Sequence, residues 1–371
     1  MVQVAIVVSD IDKALAFEWI ANQIDPQKIK LHFFLLNKSD SYLEFWLKEK
    51  QIDVYRIKYK SKFDLPLATI KLFYYFAKLN IQVVHCHLFE ASLAGLVAAK
   101  LAGVPKRVLT RHYAALNHYY YPKIVQYDIF CNTLSTHIIA PSETVQKVLI
   151  EKENVHPDKI KVIYHGFDLE SFAHPELVIV EKLKFKYNPN QRHPVIGVIA
   201  RYTELKGIQY IIPAFKNLLY DFPHAILILA NTRGDFSHEI KRLLKSLPPN
   251  SFVEIDFEND IEALYHTFDV YVHTPIAADF EGFGQTYVES LASGIPSVFT
   301  LSGIASSFIE NDKNALVVGY KNSDQIYKAI INILKDDYLR DVLISNGKIS
   351  ANQYFKLEYM IEKLSKLYLS K

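Results

Sequence analysis

Asp279 to Ser302 reads DFEGFGQTYVESLASGIPSVFTLS. Two carboxylates, Glu281 and Glu289, stand eight residues apart around a glycine-flanked aromatic, and a Gly-Ile-Pro stop follows them. Gly282 and Gly284 on either side of Phe283 let a backbone approach a ligand closely. The spacing of Tyr287, Val288, Leu291 and Ala292 predicts a helix starting just after them. With Gln285 in its first turn, that start aims unpaired N–H groups at an anion. Glu281 is then in the loop and Glu289 about a turn inside the helix, so the two could grip different parts of one long polar ligand.

On both sides of this segment, short β-branched runs alternate with helical patterns. Val4–Val8, Leu31–Leu36, Val83–Cys86, Val108–Thr110 and Ile138–Ala140 read as buried strands, followed by the strand-like Lys161–Tyr164. A polar, proline-punctuated stretch from His174 to Pro194 reads as a linker. A second series then runs through Val195–Ala200, Ala225–Ala230, Phe252–Ile255, Val270–His273, Ser297–Phe299 and Ala315–Val318. Such alternation predicts parallel sheets covered by helices, hence an α/β chain of two doubly wound domains. The last segment, QYFKLEYMIEKLSKLYLSK, is helical by the spacing of Phe355, Met360, Leu364 and Leu367.

A chain of 371 residues with half of them apolar suits two α/β domains. Its net charge of +2 argues against a nucleic-acid partner, which calls for a clear basic excess. Two cysteines, Cys86 and Cys131, do not make a disulfide scaffold and suit a reducing cytoplasm. No basic leader precedes the strand at Val2, and no uncharged apolar run reaches the ~18 residues that span a bilayer. The expectation is a soluble or peripheral cytoplasmic protein, possible contacts being at the inner membrane face.

Ligands in open parallel sheets bind beyond the carboxyl ends of the strands. In IGVIARYTELKGI, Arg201 ends the first strand of the second series and Lys206 precedes the next helix. Arg201 can hold a phosphate through two parallel N–H donors, and Lys206 adds a mobile point charge. In LTRHYAAL, His112 follows a strand and can donate, accept or shuttle a proton. His85 and His87 share one strand face, but no third ligand at sensible spacing follows, so they read as cleft lining and no metal site is expected. Tyr113, with Tyr119, Tyr120 and Tyr121, could stack on an acceptor sugar or cover the core.

The Glu281 to Glu289 spacing resembles the E-x7-E signature of the retaining glycosyltransferases of family 4. Arg201 and Lys206 resemble that family's R-x4-K clamp, and KVIYHGFDLESF its linker motif, with Gly166 and Asp168 retained and His165 in the usual Asn position. The resemblance implies a GT-B fold, two facing Rossmann-like domains with a donor cleft between them. It divides the chain into residues 1–175 (acceptor domain), 176–193 (linker), 194–350 (donor domain) and 351–371 (a helix crossing back onto the first domain). By the same resemblance Glu289 holds ribose hydroxyls and Glu281 those of the transferred hexose, Arg201 and Lys206 stabilise the leaving diphosphate, and His112 lies by the sugar. Gly282, Phe283, Gly284 and Gln285 complete the donor-binding segment. No separate cofactor is implied, the donor being a nucleotide diphosphate sugar, UDP-sugar ahead of GDP-sugar. The acceptor would be a glycan or lipid-linked molecule in polysaccharide or glycolipid synthesis. Other readings are a nucleotide-sugar epimerase, an inverting transferase, or a non-catalytic sugar-nucleotide binder.

Two departures from the family stand out. VVSDIDKALAFEWI has no glycine where a Gly-Gly loop is usual, and it carries Asp10 and Asp12, read as acceptor-side or helix-capping residues. ILILANTRGDF has Asn231 to Gly234 where Gly-x-Gly is frequent. Finally, residues 56–78 hold six basic residues against the single acidic Asp64, together with Phe73, Tyr74, Tyr75 and Phe76. That combination suits an anionic membrane surface, or else a solvated loop followed by a core helix.

Overall fold

The computed structural model describes residues 1–370 and divides the chain into two compact units, Met1–Phe167 with Leu357–Lys371, and Asp168–Lys356. In the first unit seven parallel strands, β1 (Val2–Ser9), β2 (Ile29–Asn37), β3 (Asp53–Lys58), β4 (Val83–His87), β5 (Lys106–Thr110), β6 (His137–Ala140) and β7 (Ile160–Val162), lie in the order β3-β2-β1-β4-β5-β6-β7. Alternate side chains of β1 enter opposite cores, as the two-residue period of a strand requires. Val4, Ile6 and Val8 pack with Phe33 and Met360, whereas Ala5 and Val7 pack with Phe34 and Phe76. A sheet buried on both faces must be apolar at every position, which explains continuous runs such as VAIVV.

The terminal helix Leu357–Leu369 contributes Met360, Ile361, Leu364 and Leu367 to the first unit's core. Full burial of each such side chain stabilises by about 1.5–3 kcal/mol. Its last carbonyls lack helical partners. Lys106 Nζ donates to Leu367 O at 2.7 Å and to Tyr368 O at 3.3 Å, and places its positive charge at the helix's negative end. Phe355 is not on this helix. It belongs to the second unit, where its ring meets Phe283 and Phe308 edge-on.

The second unit has six parallel strands, β8 (Val195–Ile199), β9 (Ile226–Ala230), β10 (Phe252–Ile255), β11 (Val270–His273), β12 (Ser297–Phe299) and β13 (Leu316–Val317), in the order β10-β9-β8-β11-β12-β13. Residues 176–193, expected as a linker, instead hold the helix Leu177–Tyr187 within this unit, with Val180 and Leu183 buried. Its outer face mixes Glu181, Lys182 and Lys184 with the exposed Leu177, Val178 and Phe185, which blurs the helical period in sequence. β3 also escaped the reading, because an edge strand with residues half-exposed lacks a continuous apolar run. In each sheet the strand order reverses once, between β1 and β4 and between β8 and β11. Crevices at the carboxyl ends of the strands open at such points.

Candidate functional site

The second unit gathers its polar residues at the β8/β11 reversal. Gly207 separates the turn Glu204–Lys206 from the helix Ile208–Asp221, and with φ +73° it is left-handed. An added Cβ there would stand 1.9 Å from Thr274 O, so only glycine lets the two loops meet. That approach brings Lys206 Nζ to 2.5 Å from Glu281 Oε1, although the two are 75 positions apart. His273, the last residue of β11, lies 3.2 Å from the same oxygen through Nε2. The Glu281 backbone N–H donates to Ser302 Oγ at 3.2 Å. Burial acts to raise the Glu281 pKa, but the Lys206 charge and the His273 contact outweigh it and hold the carboxyl well below its usual range. His273, whose pKa burial lowers, keeps a buried Nδ1 without a partner, as does the neighbouring hydroxyl of Thr274.

Gly284, at φ +89°, starts the helix Gln285–Ala292. Glu289 is one turn inside, where Tyr265 donates its hydroxyl to Oε2 at 2.8 Å. Burial raises the Glu289 pKa to about 7, against the lowering effect of the Tyr265 hydroxyl and with a small push from Glu262. Within one motif, burial thus pushes Glu289 towards its neutral form while Lys206 and His273 hold Glu281 ionised. Arg201 is exposed just after β8, and among the described residues no hydrogen bond or ion pair holds its guanidinium. Gln285 is exposed at the helix start, whereas the Phe283 ring is buried against Phe355 and presents no aromatic face. Gly282 is buried beside it.

In the first unit His87 ends β4 at the β1/β4 reversal, and its Nδ1 lies 3.1 Å from His112 Nε2. His112 also stacks on His165, with ring centroids 5.8 Å apart. Burial lowers the His112 pKa to about 4 and that of His165 to about 3, so these rings are neutral at pH 7. His87 Nε2 is buried without a partner. A proton left there would strand a donor, so hydrogen-bond economy puts it on Nδ1, donating to His112 Nε2. His112 then carries its own proton on Nδ1. His85 is spent structurally, with Nδ1 2.5 Å from the Tyr368 hydroxyl and Nε2 2.7 Å from Thr110 Oγ1.

Tyr113, three residues beyond β5, has different partners. Its hydroxyl donates to Asp128 and its ring lies under Arg111, which is itself bound to Glu153 through two parallel bonds of 2.8 and 3.0 Å. Tyr113 is thus tied through its hydroxyl to the buried network of Asp128, Arg111 and Glu153. Asp12 accepts from Tyr42 N at 2.9 Å and so caps the helix Tyr42–Glu49 from another loop. Asp10 is exposed at φ +49°, and Asn231 after β9 at φ +65°. Both positions where family glycines are missing thus keep a left-handed backbone, which Asp and Asn tolerate best among side-chain-bearing residues.

His273 and Tyr265 escaped the sequence reading. For His273 a signal existed, since VYVH places a histidine at a strand end as LTRH does. Tyr265 carries no local signal, because its partner Glu289 is 24 positions away.

Residues 4–171 match the family model described as Glycosyltransferase Family 4, and residues 179–350 that of Glycosyl transferases group 1. The chain is 23% identical to the Escherichia coli UDP-Gal:alpha-D-GlcNAc-diphosphoundecaprenol alpha-1,3-galactosyltransferase, over 81% of this chain and 78% of that one. It is 24% identical to the alpha-monoglucosyldiacylglycerol synthase of Acholeplasma laidlawii, over 76% and 74%. Among solved structures, Anabaena HepE in complex with UDP and glucose superposes with a TM-score of 0.84 at 20% identity, covering 99% of both chains.

Proposed function

The chain belongs to the glycosyltransferases of family 4, with the two parallel-sheet domains of the GT-B type, and from that premise we propose that it transfers a hexose from a UDP-sugar with retention of configuration. The acceptor is a glycan or lipid-linked molecule in polysaccharide or glycolipid synthesis, reached at the inner membrane face. The observation that carries this reading is the cluster of Lys206, Glu281 and His273, with Arg201 after the adjacent strand and Glu289 one turn into the next helix. It offers positive charge for a diphosphate and fixed acceptors for hydroxyls within one crevice.

In this reading Arg201 and Lys206 meet the diphosphate oxygens as the bond from the anomeric carbon breaks, which is where preorganised charge lowers a barrier. Glu289 accepts from the ribose hydroxyls and Glu281 from those of the hexose. His112 offers one neutral N–H to a sugar hydroxyl. The acceptor oxygen forms its bond on the face the diphosphate leaves, and its proton passes to the departing phosphate. Glu281 is tied to Lys206 and His273, so a covalent glycosyl-enzyme on that carboxylate is not invoked. The galactosyltransferase and the glucolipid synthase among the relatives, and the UDP and glucose bound by HepE, support a UDP-hexose and a lipid-linked acceptor.

A thermal-shift screen of UDP, GDP and their sugars tests the donor. A ligand at ~100 times its dissociation constant adds about 2.7 kcal/mol of stability. UDP-hexoses should shift the transition and be slowly hydrolysed without acceptor. NMR of the product should show the donor's anomeric configuration, and an inverted product would overturn retention.

A further inference from the structure

We propose that the helix Leu65–Lys78, with the turn Lys62–Asp64 before it, is a docking face for an anionic lipid surface. Phe63, Leu67, Ile70 and Tyr74 follow one another at intervals of four, three and four, so they form one stripe. The stripe faces solvent, with Phe63 82% and Ile70 63% exposed, while Ala68, Leu72 and Phe76 fill the core on the opposite side. A helix needs only one apolar face to fold, and this one has two. Ile70 also borders an apolar groove formed with Leu93, Val97, Tyr127 and Phe130, the last two exposed in their own right.

The charge around the stripe identifies its occupant. Of the six basic residues of this stretch, Arg56 is paired with Asp40 and Glu44. Lys58, Lys60, Lys62, Lys71 and Lys78 remain, and among the described residues none of their ammonium groups has an ion-pair partner. Lys62 and Lys78 lie over the exposed rings of Phe63 and Tyr74. Asp64, the single acidic residue, is turned onto the backbone N–H groups of Lys60 and Ser61. Protein interfaces favour arginine and are depleted of lysine. Flexible lysines flanking an aromatic and aliphatic stripe instead match a bilayer interface, where the apolar face enters the acyl boundary and the ammonium groups stay among the headgroups. This deepens the reading of a lipid-linked acceptor, yet docking itself needs no transfer chemistry.

The experiment is co-sedimentation of the full chain with phosphatidylcholine vesicles, with and without phosphatidylglycerol, at ~0.1 M and ~1 M salt, where the Debye length is ~10 and ~3 Å. Wild type should pellet only with anionic vesicles and release at high salt. Each lysine removed should weaken binding about fivefold, equivalent to ~1 kcal/mol, so K58E/K60E/K62E together should lose at least a hundredfold. L67S/I70S should weaken binding with all charges intact. Equal pelleting of wild type and both variants, or binding indifferent to salt, would overturn the proposal. So would a wild-type dimer that L67S/I70S dissociates, in the absence of vesicle binding. Far-ultraviolet circular dichroism confirms that the variants fold. Donor hydrolysis in the same samples reads the transferase assignment separately, so either idea can fail alone.

Discussion

Lys206 Nζ lies 2.5 Å from Glu281 Oε1 in the second unit, so the cation assigned to the phosphates and the carboxylate assigned to the sugar are each other's partners. Neither residue can be altered without changing the other. Lys206→Ala and Glu281→Gln should therefore be non-additive, both in turnover and in stability. Lys206→Ala should raise the barrier by about 2–4 kcal/mol, by analogy with removing one preorganised donor. A double-mutant cycle should return a coupling of about 0.5–3 kcal/mol. A cycle that closes to zero would show that the pair is not coupled.

Arg201 should behave differently, since its guanidinium is exposed and unpaired among the described residues. Arg201→Ala should leave the melting temperature within experimental error, because nothing folded leans on it, yet cut kcat. A variant with full activity would remove Arg201 from the site, and a destabilised one would show that it has a structural role.

The Glu289 carboxyl is raised by burial to about 7, so the role proposed for it should make nucleotide binding pH-dependent. In the proposed reading the ionised form accepts from ribose, so UDP affinity should rise between pH 6 and pH 8. The effect on folding has the opposite sign. A carboxyl whose folded pKa lies above its ordinary value binds its proton more tightly when folded, so this stabilisation is complete below that ordinary value and is lost as pH rises towards 7. Calorimetry across pH should show the affinity trend in wild type and a flat, weaker response in Glu289→Gln. Tyr265→Phe, which removes the hydrogen bond favouring ionisation, should move the trend to higher pH.

His87 is a positioning residue in this account. Replacing it by Phe removes the N–H that donates to His112 Nε2, whereas Asn can place an amide N–H near the same point. Nitrogen-15 NMR of the His112 ring should report the Nδ1–H tautomer in wild type and in His87→Asn, and a tautomer mixture in His87→Phe. Turnover should follow the tautomer. Identical ring spectra in all three proteins would reduce His87 to packing.

The alternation of β-branched runs and helices, and the helix after Gly284, were legible in the sequence because period and composition are local properties of a strand or a helix. So were the strand-end positions of Arg201 and His112, since parallel sheets put chemistry after their strands. The stretch 176–193 was misread because Pro189, its flanking asparagines and its charges outweighed a helical spacing with few buried residues. The missing glycines after β1 and β9 were visible, but not that Asp10 and Asn231 keep the left-handed backbone in their place. Only the tertiary structure paired Lys206 with Glu281, Tyr265 with Glu289 and His87 with His112, spent Tyr113 on Asp128 and left the Phe63 to Tyr74 stripe facing water. These relations depend on which strands become neighbours and on which helix covers which face. Strand order is chosen by the burial of the whole chain, and no local pattern encodes it.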